Sequence, residues 1–76
     1  MSKALSRIKS DPAVMYGKPV IAGTRITVEH ILRSLAAGDT PEQICADYPP
    51  LTVDDIRAAQ EFAAEHLARE SIFAAK

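Results

Sequence analysis

The residues of this chain that could do chemistry are its cations, two histidines, one cysteine and two glycine-flanked turns. Residues 1–38 carry six Lys/Arg against two Asp/Glu and residues 39–76 carry three against eight, so the halves stand at +4 and −5 within a net charge of −1. A chain divided in this way presents an anion-seeking arm and an acidic body, or two surfaces that complement each other head to tail in a dimer. The plainer alternative is lopsided charge without a task. The cations of the first half are Lys3, Arg7, Lys9, Lys18, Arg25 and Arg33.

Gly17-Lys18 and Gly23-Thr24 invite comparison with a phosphate loop. That motif needs glycine, four residues, then Gly-Lys-Ser/Thr running straight into a helix. Here lysine follows the first glycine, five residues separate the glycines, and Pro19 removes a backbone donor. The glycines read as turn formers instead, and no cofactor is expected. His30 and His66 lack the spaced carboxylates or thiols of a metal cage, and a lone Cys45 forms neither an intramolecular disulfide nor a zinc framework. On the apolar side of a helix, Cys45 reads as a small hydrophobe. Serine, histidine and aspartate are present without a nucleophile elbow, so no catalytic residue and no bound metal are expected.

The elements that must position these side chains fall into two stretches. Residues 5–26 show no helical period and are broken by Asp11-Pro12, Tyr16-Gly17-Lys18-Pro19 and Ala22-Gly23-Thr24. They read as a β ribbon or arm, with Val20-Ile21-Ala22 and Arg25-Ile26 either side of Gly23. Ile8 and Val14-Met15-Tyr16 are candidates for further strands. Because a two-stranded ribbon barely holds in water, exchange of this arm between protomers is expected.

From residue 27 the period changes to 3.6. Val28, Ile31, Leu32 and Leu35 share one helix face, Thr27 can cap the start and Gly38 the end, which predicts a helix over 28–37. Thr40-Pro41-Glu42-Gln43 is a capping box with proline in the first turn, and Tyr48-Pro49-Pro50 stops the short helix it opens. Thr52-Val53-Asp54-Asp55 is a third start, flanked by Leu51 and Ile56 as a hydrophobic staple, and predicts a helix over 53–70. Its stripe runs through Ile56, Ala59, Phe62, Ala63, His66 and Leu67. The fold expected is mainly α: an N-terminal β ribbon over 1–26, a three-helix, helix-turn-helix-like body over 27–70 and a tail over 71–76, one domain in all.

Of the 76 residues 47% are apolar, yet 13 of these are alanine and only 22 are large apolar side chains. Such a chain is expected to need completion by oligomerisation or a partner, and could scarcely wall an enzyme pocket. The third helix outruns the two that could pack on it, so Phe62, Leu67, Ile72 and Phe73 should present apolar surface to that partner, unless 71–76 fray. No segment approaches the ~20 apolar residues of a membrane span and the start lacks a signal peptide's apolar core. A cytoplasmic protein without membrane contact is expected.

The run Gly17-Lys18-Pro19-Val20-Ile21-Ala22-Gly23-Thr24-Arg25-Ile26, followed by Val28, Ile31, Leu35, Gly38, Pro41-Glu42, Ile44, Tyr48-Pro49, Leu51 and Asp55-Ile56, resembles the family catalogued as domain of unknown function 433. The resemblance spans about Leu5 to Leu67. It implies a helix-turn-helix superfamily body behind an N-terminal β arm. It also implies that relatives are often encoded beside a small PIN-like nuclease, as type II antitoxins.

Two kinds of partner then compete for the same cations. A helix-turn-helix reader offers Arg, Lys, Asn or Gln from the start of its second motif helix, whereas this one offers Asp54, Asp55, Arg57, Gln60 and Glu61. Carboxylates repel phosphate, so DNA contact is expected through the arm: Lys3, Arg7, Lys9, Lys18 and Arg25, with Arg57 and Gln60 on the helix. A nuclease partner would instead receive Lys18 or Arg25 among its metal-binding carboxylates and the stripe of Phe62, Leu67 and Phe73 in a groove. The function expected is an antitoxin-like homodimer that neutralises such a nuclease, with regulation of its own operon as a second task. The alternatives are a stand-alone DNA-binding regulator and a structural interaction module.

Overall fold

The computed structural model describes residues 5–70. A single 3-10 turn at Leu5–Arg7 leads into β1 (Ile8–Lys9), and a second turn at Met15–Gly17 precedes β2 (Val20–Ile21). Three helices follow: α1 (Val28–Ala36), α2 (Pro41–Asp47) and α3 (Val53–Glu70). The fold is mainly α with a short N-terminal antiparallel ribbon, as the sequence predicts.

β1 and β2 pair antiparallel, Ile8 opposite Ile21 and Lys9 opposite Val20. Val20 and Ile21 are both buried, so this strand is covered on its two faces. The Arg25-Ile26 piece does fold back beside β2, through the Ile21 N–H to the Ile26 carbonyl (3.0 Å) and a bridge between Val20 and Thr27. Val14-Met15-Tyr16, in contrast, forms no strand. Met15, Tyr16 and Gly17 stand at φ 50, 59 and 83, a left-handed turn that no ladder accommodates. The ribbon also packs on its own body: Ile21 is in the central core and Ile8 lies against it.

Each helix begins where its threonine dictates. The Thr27 and Thr40 hydroxyls accept from His30 N–H (2.9 Å) and Gln43 N–H (3.1 Å), and the Gln43 side chain accepts from Thr40 N–H (2.8 Å). α1 closes with Gly38 at φ 104, where Asp39 N–H reaches the Ser34 carbonyl (3.1 Å) and Gly38 N–H that of Leu35 (3.0 Å). That double closure needs a left-handed residue, and glycine supplies it without strain. α3 opens on a second box, Asp55 accepting from Thr52 N–H (3.0 Å) and Thr52 Oγ1 from Asp55 N–H (3.3 Å).

Val28 and Ile31 of α1, Ile44 of α2, and Leu51, Ile56 and Ala59 around the start of α3 join Ile21 in one core. Ala58 and Ala59 are wholly buried, and their small side chains let α3 approach its neighbours closely. Burial on α3 fades past Ala63, and residues 64–69 face solvent. At 18 residues α3 is about 27 Å long, so roughly its last two turns project beyond the body.

Candidate functional site

Three surfaces gather the side chains that could meet a partner. The first is a groove of about 780 Å³ between α1 and α3. Leu32 and Ala36 line one wall, Phe62, Ala63, His66 and Leu67 the other, and Lys18, Glu29 and Arg33 stand at its rim. Leu67 is 64% exposed, a large apolar side chain left open to water by the projection of α3. Phe62, half-buried, packs against the core on one side and stacks with the His66 ring on the other at 6.2 Å between centroids. The rim is an ion network: Glu29 accepts from Arg33 Nε (3.0 Å) and from Lys18 Nζ (3.3 Å). These two cations, Arg33 foremost, hold the Glu29 carboxyl below the ordinary glutamate range.

The second surface is a cleft of about 650 Å³ on the ribbon, lined by Lys9, Ser10, Asp11, Val20, Gly23, Thr24 and Arg25 among others. The third is the start of α3. Arg7 Nη1 donates to Asp55 Oδ1 (3.0 Å) and Nη2 lies 3.7 Å from Asp54 Oδ2. Asp55 is buried, so its charge is met by Arg7 and by the capping bonds rather than by water.

The structure thus sorts the cations that the sequence leaves equivalent. Arg7 is held by α3, Lys18 by Glu29 at the groove, and Lys9 and Arg25 share the ribbon cleft. Lys18 and Arg25, paired in expectation, line different surfaces. Arg57 and Gln60 are exposed on α3, beside the exposed Asp54. Lys3, Ile72 and Phe73 lie outside the described residues. The sequence pattern does not point to the α1 wall of the groove as a binding surface, although Leu32 and Ala36, four apart, carry its signal.

The remaining reactive groups are engaged in packing. His30 Nε2 lies 2.8 Å from the Tyr48 hydroxyl, with the rings edge to face. Cys45 packs against the core, and desolvation followed by the nearby Asp55 and Glu42 charges pushes its thiol up, which makes it a poor nucleophile. Among the described residues no group of three or more His, Cys, Asp or Glu gathers as a metal cage, and no helix is long and apolar enough to cross a membrane.

The family model described as Protein of unknown function (DUF433) matches residues 8–63, which takes in β1, β2, α1, α2 and the buried part of α3. The chain belongs to the DUF433 family. The crystal structure of a DUF433 member protein from Anabaena variabilis is similar at a TM-score of 0.73 and 31% identity, covering 84% of this chain and 66% of that one. An uncharacterised protein of Sinorhizobium fredii, y4eO, is 33% identical over 63 residues, 83% of this chain. This DUF433 chain spans only 28% of that relative's length. The matched span ends at residue 63, where α3 leaves the body, so the family pattern covers the frame that builds the groove and stops short of Leu67.

Proposed function

We propose that this DUF433 chain works by binding rather than by catalysis, as the antitoxin-like member of a pair in which its α1–α3 groove covers a helix of a PIN-like nuclease. The observation that carries this reading is Leu67, 64% exposed beside the half-buried Phe62 at the open end of the groove. A helix partner with apolar residues at i, i+3 and i+4 would bury that surface, and each large side chain so covered contributes about 1.5–3 kcal/mol. Lys18 enters as part of a rim whose positive charge is already half met by Glu29. The protein acts as a homodimer in the same reading, which relieves the small core of the chain.

The alternative, a regulator that reads bases through α3, is less favoured. The start of that helix exposes Asp54 to the phosphates it would have to approach, and Arg7 is spent on neutralising the acids there. The test is co-expression with the product of the adjacent gene. The two proteins should co-purify, Leu67→Asp should abolish the complex while leaving the melting temperature unchanged, and native mass measurement of the chain alone should give twice its monomer mass. A complex that survives Leu67→Asp overturns the groove assignment, and a monomer at micromolar concentration overturns the dimer.

A further inference from the structure

Ion pairing separates the cations that are spent from those that are available. Arg7 is bound to Asp54 and Asp55, and Lys18 and Arg33 share Glu29. Between residues 5 and 38, Lys9 and Arg25 alone among the cations make no ion pair and no side-chain hydrogen bond with the described residues. Both are exposed, and both line the ribbon cleft.

Rigid backbone presents them. Lys9 sits in the ladder opposite Val20. Arg25 ends a turn stapled by Thr24, whose hydroxyl donates to the Ile21 carbonyl (2.8 Å) and accepts from Ile26 N–H (3.0 Å), while Thr24 N–H donates to the same carbonyl (2.9 Å). Gly23, at φ 80 on this turn, has open space where a Cβ would stand, so another backbone can approach closely. Asp11 also lines the cleft. Its Oδ1 accepts from Ala13 N–H (2.9 Å), and its charge leaves the trio at +1.

We propose that this cleft grips the phosphodiester backbone of duplex DNA, with Lys9 and Arg25 each neutralising one phosphate and α3 held outside the groove. The inference is independent of the partner-binding reading, since the two surfaces share only Ser10. Exposed cations on a stiff frame suit a polyanion, whose affinity comes from released counterions; a single small anion would need a buried anchor. The acids of the second half set the orientation by repelling the same backbone.

The experiment is fluorescence anisotropy of the full chain with a labelled mixed-sequence DNA duplex, titrated at NaCl from about 50 to about 200 mM. The Lys9→Ala/Arg25→Ala double variant should weaken binding and lower the slope of log K against log salt by about 1.8, or ~0.9 for each phosphate no longer neutralised. Arg69→Ala removes a positive charge from the far end of α3, away from the ribbon, and should leave the slope within ~0.5 of the parent value. The charge-keeping Lys9→Arg/Arg25→Lys variant should retain the parent slope, and a melting temperature of the alanine double variant equal to the parent's excludes misfolding as the cause. Absence of salt-sensitive binding overturns the proposal, as does an unchanged slope in the ribbon variant or an equal loss in the α3 variant.

Discussion

Glu29 is the acceptor for two cations from different parts of the chain, Lys18 of the ribbon and Arg33 one turn on. Its carboxyl is held below the usual range, so the ionised form is favoured in the folded protein. The linkage has a definite sign: the stabilisation is present above the unfolded glutamate value of about 4.3 and is lost as pH falls through the lower, folded value. Melting temperatures of the parent and Glu29→Gln should therefore differ at neutral pH and converge as the solution is acidified below about pH 4. A gap that persists or widens in acid would contradict the assignment. Only the Glu29–Arg33 half of this network is legible in the sequence, because four-residue spacing on a helix is local information. Lys18 comes from 11 residues away, and Arg7 reaches Asp55 across 48, so the fold has to exist before those partners are defined.

The helices are legible because their ends are written in residues that act locally. Thr27, Thr40 and Thr52 each cap within three residues, and Gly38 closes α1 by the one conformation that other residues resist. The ribbon is harder to read. Val14 and Tyr16 have the side chains of a strand, but a strand exists only with a ladder partner, and β2 takes Ile8 and Lys9 instead. At the start of α3 two adjacent aspartates that look alike in sequence have different tasks. Asp55 is buried, caps the helix and holds Arg7; Asp54 is exposed at 3.7 Å from the same guanidinium. Asp55→Ala should cost about 2 kcal/mol in urea unfolding, through the missing cap and a guanidinium left without its closer partner. Asp54→Ala should cost less than ~0.5 kcal/mol, as exposed pairs do. Equal losses would mean that burial does not separate the two.

The molecule as a whole rests on few side chains. Ile31, Ile44 and Ile56 are its largest fully buried residues, and alanines fill much of the rest of the α3 interface. Ile44→Ala should destabilise by about 2–5 kcal/mol. That is a large part of the ~4–11 kcal/mol expected for a chain of this length, so thermal unfolding should begin near room temperature. Leu67→Ala, at a site open to water, should move stability by less than ~0.5 kcal/mol. A similar loss in both variants would show that the outer turns of α3 are structural. This contrast between core and groove is half legible: the apolar stripe of α3 is periodic in the sequence, but the point where burial ends depends on how short α1 and α2 prove to be. The clasp between Arg7 and Asp55 ties the turn before the ribbon to a residue that leaves the ribosome 48 positions later. Closing so wide a ring carries an entropic cost that the remaining contacts of the fold have to meet, so the clasp is expected to form late. Its loss should therefore shorten the lifetime of the finished molecule and scarcely delay its assembly.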